Sequence, residues 1–169
     1  RSVITQNIDN LHREAGNSQV IEVHGNIYRL ACLACGGKVH LSREELFPLG
    51  WKLVEYMREG DLEGIISIAS RCRCGGICRI DVVAFGEPVQ DMHLAVAEAK
   101  SADVFLILGT SGAVYPAAYL PEYAKKAGAK LLEINATGCY FPELVDLGII
   151  GKTGEVLPRI VERVRELRC

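Results

Sequence analysis

The chain has 169 residues, 49% of them apolar and 24% charged, with a formal net charge of −2. That balance fits one globular domain, or one domain with a small module, and is too apolar for a disordered chain. It gives no electrostatic reason to expect nucleic acid or an anionic membrane as the main partner, and no apolar run approaches the roughly 20 residues of a membrane span.

In chain order, residues 2–6 read as a strand and residues 9–15 as a short helix closed by Gly16. Residues 20–23 read as a second strand, with His24-Gly25-Asn26 as the turn after it. A cysteine- and glycine-rich texture follows in "CLACGGKVH" and "CRCGGIC", with a helical stretch between the two. Ser42 with Glu45 three residues on is a capping-box signature, and Leu53, Tyr56 and Met57 recur at helical spacing. Residues 61–70 predict another short helix, so the segment between the cysteine clusters reads as an insertion with its own metal and small core. Beyond it come a strand in "IDVVAF", a helix over 91–100 and a fully buried strand in "DVFLIL". A helix over 116–126 ended by Gly128, a buried strand in "KLLEI" and an amphipathic helix over 154–167 complete the chain, the last with Val156, Ile160, Val161 and Val164 on one stripe. Apolar strands alternating with helices imply a parallel sheet covered on both faces. Ligands gather at the carboxyl ends of such strands, and the polar clusters Gln6-Asn7-Ile8-Asp9, His24-Gly25, Gly109-Thr110-Ser111 and Asn135 all sit at predicted strand ends.

Seven cysteines, an odd number with two tight clusters, suit a reducing compartment, here the cytoplasm, and a metal site rather than a disulfide framework. Cys32-x-x-Cys35 followed by Gly36-Gly37 is one zinc knuckle, its glycines letting backbone amides turn toward the thiolates. Cys72-Arg73-Cys74-Gly75-Gly76 resembles the other half with one residue fewer between the thiols. Four thiolates leave zinc no open position, so the site reads as structural. Which two of Cys72, Cys74 and Cys78 complete it stays open on spacing; Cys72 and Cys74 are taken as the pair, with Cys78 the spare. Gly109-Thr110-Ser111, Asn135 and His24 each read, taken singly, as an ordinary turn or core feature.

Together these stretches resemble one family. "TQNIDNLH", "VIEVHGN", C-x-x-C then CxCGG, "DVVAFGE", "GTSGAVYPAAYLP", "EIN" and "GKTGEVLPRIV" occur in the order found in sirtuins, NAD-dependent protein-lysine deacylases. The resemblance implies a Rossmann-like α/β domain over 1–30 and 79–169, with a zinc-binding module over 31–78. It implies that Gln6, Asn7, Ile8 and Asp9 line the pocket for nicotinamide and its ribose. His24 would be the general base on that ribose, with Asn7 and Asp9 beside it in the catalytic set. Gly109, Thr110 and Ser111 would hold phosphate and ribose of NAD, Asn135 the adenosine ribose, and Thr153 would lie near the adenine. Val83, Phe85 and Gly86 would form the edge to which an acyl-lysine peptide adds, with Val114 near the facing edge. Nicotinamide would leave as the acyl oxygen attacks the ribose, and the products would be free lysine, nicotinamide and O-acyl-ADP-ribose, with Zn2+ purely structural.

Three departures from the family pattern are visible. The glycine-rich first strand-loop-helix that normally precedes "TQNID" is absent and the chain opens on Arg1, so it reads as a processed chain or a piece of a longer one. The sheet is then expected to be incomplete at its N-terminal part, with little activity in this chain unless a missing segment or partner chain completes it. Ala84 stands where the family commonly has a large aromatic residue, and the segment between the cysteine pairs is long. Two other functions compete: a non-catalytic zinc-bearing peptide scaffold, and an NAD-consuming ADP-ribosyltransferase or hydrolase.

Overall fold

The computed structural model describes residues 2–69 and 71–167. Cys169, for which the sequence offers no role, and the Ser70 end of the helix predicted over 61–70 lie outside the described residues. The chain divides into two compact units, one formed by Ser2–Gln90 and the other by the chain from Asp91 onward.

In the first unit, β1 (Val3–Thr5) and β2 (Val20–Glu22) form a parallel pair, with Val3 opposite Val20, and α1 (Leu11–Glu14) lies between them in sequence. Next comes a strand that the sequence reading took in part for a turn. The turn is Val23–His24, and β3 (Gly25–Cys32) starts at the glycine and runs for eight residues. It is the centre of an antiparallel sheet in the order β4-β3-β5, with β4 (Lys38–His40) and β5 (Cys78–Val82) on its two sides. β5 begins and ends earlier than "IDVVAF" suggested, because its pairing with β3 stops at Val82 opposite Gly25.

Between β4 and β5 stand α2 (Arg43–Glu59) and α3 (Leu62–Ser67). The capping box forms as read: the Ser42 hydroxyl accepts from the Glu45 amide, and the Glu45 carboxylate accepts from the Ser42 amide at 2.7 Å. The small core expected here does not form. Among the described residues from 33 to 80 only Gly64 is buried, under the Tyr56 ring, while Trp51, Met57 and Ile66 are exposed. A four-turn helix and a single-turn partner have too little facing surface to enclose large side chains. The buried apolar residues of this unit lie nearer β3: Val20, Val23, Tyr28, Leu30 and Cys32.

The second unit is α4 (Met92–Ser101), β6 (Val104–Leu108), a 3-10 turn (Ala117–Tyr119), α5 (Leu120–Lys126), β7 (Lys130–Asn135), β8 (Leu147–Ile150) and α6 (Thr153–Glu166). Its sheet runs β6-β7-β8, all parallel, with Leu108 opposite Ile134 and Ile134 opposite Ile149. The α/β expectation with parallel strands therefore holds. The expectation of a fully buried "DVFLIL" strand does not: Ile107 is buried, but Val104, Leu106 and Leu108 on the opposite face are exposed. β6 is the edge of a three-stranded sheet, and α5 covers only one of its faces. The core of this unit is small-residue packing, Ala95, Ala99, Ala117, Ala118 and Ala124, around Leu131 and Ile134. Among the described residues no helix is long and apolar enough to cross a membrane.

Candidate functional site

Four thiols converge at the far end of β3. The Sγ atoms of Cys32, Cys35, Cys72 and Cys74 all lie within 4.8 Å of one another, with Cys32–Cys74 and Cys35–Cys72 each at 3.6 Å. Sulfurs bound tetrahedrally at about 2.3 Å from zinc stand roughly 3.8 Å apart, so the set is spaced for one such ion. Glycine is needed beside it on steric grounds: a Cβ on Gly76 would sit 2.8 Å from Cys32 Sγ and 2.7 Å from the Ala34 side chain. The amides turned toward Cys32 belong to Cys35 and Ala34 rather than to the glycines, and they hold its thiol down at about 6. The Gly76 amide favours a Cys74 thiolate, but the neighbouring thiols of Cys35, Cys32 and Cys72 outweigh it and push that thiol up to about 12. One thiolate beside others resists a second charge, which is the condition a divalent cation relieves. Cys78 stands outside the four. It faces Cys32 across the β3–β5 ladder, and burial with the nearby thiols pushes it up.

At the other end of β3 the first unit gathers the polar residues singled out at the ends of β1 and β2. His24 Nδ1 lies 3.2 Å from the Gln6 carbonyl oxygen, a contact in which the carbonyl can only accept, so the geometry assigns the ring proton to Nδ1 and leaves the Nε2 lone pair open. The backbone oxygen of His24 accepts the Val83 amide at 3.0 Å. One residue thus joins the Gln6–Asp9 loop to the segment just beyond β5. Within the loop, the Asn7 amide donates to Thr5 Oγ1 at 3.0 Å and Asp9 Oδ1 accepts the Leu11 amide at 3.1 Å. Gln6, Ile8, Asp9 and His24 are half-buried and Asn7 is exposed.

Gly25 has a requirement of its own. Its φ is +83°, and a Cβ there would lie 1.9 Å from the Asp81 carbonyl oxygen. No rotamer relieves a backbone clash of that size, and the left-handed backbone adds strain. Gly25→Ala is expected to separate β3 from β5 and to lower stability by more than about 2 kcal/mol, measured as the shift of the urea midpoint. A midpoint within the error of wild type would contradict the described geometry.

Beneath these residues runs a buried polar network that the sequence did not disclose. Glu22 accepts from Asn26 Nδ2 at 2.6 Å and pairs with Arg13 at 3.2 Å and Arg29 at 3.1 Å. The Arg29 guanidinium continues to Asp81, which also accepts from Gln90 at 2.7 Å and pairs with Lys38 at 3.0 Å. Burial works against ionising either acid. Hydrogen bonds from Arg13 and Asn26 on Glu22, and from Arg29, Lys38 and Gln90 on Asp81, outweigh it and hold both below the usual carboxylate range. Read linearly, Arg29 and Asp81 look like solvated surface charges.

Beyond β5, Phe85 is fully open to solvent, Gly86 is exposed and Val83 is half-buried. A forked Arg79–Glu87 pair, at 2.7 and 2.6 Å, frames this turn, and Glu87 Oε2 also accepts the Ala84 amide at 2.9 Å.

In the second unit, the loop after β6 and the end of β7 are tied together by Asn135 Nδ2, which donates to the Thr110 carbonyl at 2.7 Å. Thr110 Oγ1 accepts the Gly112 amide at 3.2 Å, Ser111 is exposed, and Gly109 adopts φ +58° beside Thr153 at the start of α6. Gly109, Thr110, Asn135 and Thr153 are thus brought to one end of the β6-β7-β8 sheet; Val114 is exposed. Cys139 is exposed and donates to the buried Glu133 carboxylate at 2.8 Å. That carboxylate also takes the Tyr140 and Phe141 amides.

Comparison with known proteins gives a family and several relatives. The Sir2 family model matches residues 1–116. An NAD-dependent protein deacylase of Desulfosudis oleivorans is 46% identical over 169 residues, and one of Pyrococcus furiosus is 42% identical over 170; each alignment covers 99% of this chain and 62% of the relative. The chain therefore spans about 62% of the length of these relatives. A structure of Sir2Af2 bound to a myristoylated histone peptide superposes with a TM-score of 0.72 at 42% identity, covering 99% of this chain and 66% of that one. A structure of Sir2 bound to acetylated peptide gives 0.75 at 31% identity, covering 96% and 63%.

Proposed function

The chain belongs to the Sir2 family, and on that premise we propose that its sites serve NAD-dependent removal of acyl groups from lysine side chains, with transfer of the acyl group to ADP-ribose. The observation that carries the proposal is the junction at His24, whose ring meets the Gln6 carbonyl while its backbone holds Val83. A base, a loop of amide and carboxylate groups, and a strand edge able to take an extended peptide meet at one residue of the first unit.

Each group has a chemical task in this reading. NAD, when bound, supplies an electrophilic ribose carbon and nicotinamide as leaving group. Gln6, Asn7, Ile8 and Asp9 orient the nicotinamide and its ribose. With its Nδ1 proton donated to Gln6, His24 presents Nε2 to accept a proton from a ribose hydroxyl. In the second unit Gly109, Thr110 and Ser111 take phosphate and ribose, Asn135 the adenosine ribose, and Thr153 the adenine side. β5 pairs only with β3 among the described residues, so an acyl-lysine peptide can pair beside Val83, Phe85 and Gly86. Residues 31–78 form the zinc-binding module, in which Cys32, Cys35, Cys72 and Cys74 hold a structural Zn2+. Four thiolates saturate the ion, which then fixes β3 and β5 and takes no part in the chemistry. We place the protein in the cytoplasm: the six described cysteines are unpaired, as a reducing compartment keeps them.

The test is turnover of NAD with an acetyl-lysine peptide, followed by nicotinamide release and acyl transfer. His24→Ala is expected to lower kcat by about 10²–10⁴-fold, the usual worth of a positioned general base. Retention of wild-type kcat by that variant would remove His24 from the chemistry.

A further inference from the structure

The segment from His24 to Ile27 touches the Gln6–Asn10 loop at three points. His24 Nδ1 meets the Gln6 carbonyl at 3.2 Å, the Ile27 amide donates to the Ile8 carbonyl at 3.0 Å, and Asn26 Nδ2 donates to Asn10 Oδ1 at 2.8 Å. The third contact is the one that depends on a side chain at both ends. Asn26 is 1% exposed, and its amide is fully engaged: Oδ1 accepts the Tyr28 amide at 2.8 Å, and Nδ2 bonds both Asn10 and Glu22. Asn10 needs holding. It sits at φ +67° as the first cap of α1, a conformation that asparagine tolerates but does not favour, and its own amide reaches only Glu14 at 3.4 Å. The loop is therefore closed at its far end by one part-buried hydrogen bond, backed by Glu22 between two arginines.

We propose that Asn26 is a positioning residue of the site: through Asn10 it fixes the register of the Asn7-Ile8-Asp9 loop against His24, without itself touching NAD or peptide. The proposal rests on the deacylase reading for its catalytic consequence, and on the hydrogen-bond geometry alone for its structural one. A buried amide with both hydrogens committed has one low-energy orientation. It passes that orientation to a loop whose other ties to this segment are the His24 ring on the Gln6 carbonyl and the Ile27 amide on the Ile8 carbonyl.

Asn10→Ala removes the bond from the loop side and leaves Asn26 its bonds to Glu22 and Tyr28; because alanine is strained at φ +67°, Asn10→Gly, which tolerates that angle, is measured beside it. In the whole chain, Asn10→Ala is expected to speed exchange of the Ile27 amide at least tenfold, while the Val23 amide, bonded to Thr5 in the β1–β2 pair, changes less than twofold. Asn26→Ala should do the same, and the double variant should do no more. In turnover, kcat/KM for NAD should fall about tenfold in Asn10→Ala with KM for the peptide unchanged. Unchanged Ile27 exchange, equal acceleration at Val23, or additive effects in the double variant would each overturn the positioning role. Absence of turnover in the wild-type chain would agree with the incompleteness expected from the sequence, and the exchange measurement would then decide the positioning role on its own.

Discussion

Cys72→Ser and Cys35→Ser are each expected to empty the zinc site of the purified chain, whereas Cys78→Ser leaves close to one zinc per chain. Among the described residues only Cys32, Cys35, Cys72 and Cys74 bring their sulfurs within 4.8 Å of one another, and Cys78 stands outside that set. The stability at stake is large because little else holds this end together: Gly64 is the one buried described residue between 33 and 80. Structural zinc sites in small domains contribute on the order of 10–16 kcal/mol of apparent binding energy, most of which appears as folding energy. Metal content by a chromophoric chelator after denaturation, with exchange of the Leu33 amide that bonds the Ile77 carbonyl, reads both consequences. The opposite pattern, with Cys78→Ser metal-free and Cys72→Ser loaded, would reassign the ligands. Wild-type protein without zinc would remove the metal altogether.

The second large effect lies in the buried ion network. Asp81→Ala leaves the Arg29 guanidinium buried with one remaining carboxylate partner, Glu22, and also releases Gln90 and Lys38. Breaking one side of a buried pair costs about 3–5 kcal/mol, because the surviving charge has no water to turn to. Asp81→Asn, which keeps the shape and one acceptor, should cost less. The pH dependence has a definite sign. Glu22 and Asp81 are held below their unfolded values, so their stabilisation is fully present above the unfolded carboxylate range near pH 4 and is lost as pH falls through the lowered folded values. Urea titrations of the wild type should show flat stability from pH 7 to 5 for this contribution and a steep fall below pH 4. Asp81→Ala should be weaker throughout and fall less steeply. A variant as stable as wild type at pH 7 would show that the network carries no net stability.

What the sequence disclosed was what local chemistry can encode. The Ser42–Glu45 capping box, the apolar runs of β6 and β7, and the polar residues at the ends of β1, β2, β6 and β7 all depend on neighbours a few residues away. The same holds for the Cys-x-x-Cys and Cys-x-Cys halves of the metal cluster. β3 was hidden because His24-Gly25-Asn26 has turn composition, while its pairing partners lie seven to more than fifty residues away in sequence. β8 was hidden because Gly148 and the short run Leu147–Ile150 resemble a loop until β7 supplies hydrogen bonds. The Glu22–Arg29–Asp81 network was illegible for a related reason: a charge's burial depends on what folds over it. The exposed face of β6 shows the converse, since an apolar run marks a strand well but does not report what covers it.

One irregularity in β3 separates the two ends of the first unit. Asn26 faces Asp81 and Leu30 faces Ile80, so Ile27, Tyr28 and Arg29 have no opposite number on β5. There the strand changes allegiance. The Ile27 amide goes to the Ile8 carbonyl, the Tyr28 amide to the Asn26 side chain, and the Tyr28 carbonyl to Leu41. A bulge of this kind lets each side keep its own ladder. The sulfur end of β3 therefore bears the long helical excursion between Cys35 and Cys72 without transmitting its length to the histidine end. Such a joint lets a lineage lengthen, shorten or exchange the metal-bearing appendage as an independent part while the geometry around His24 is inherited intact.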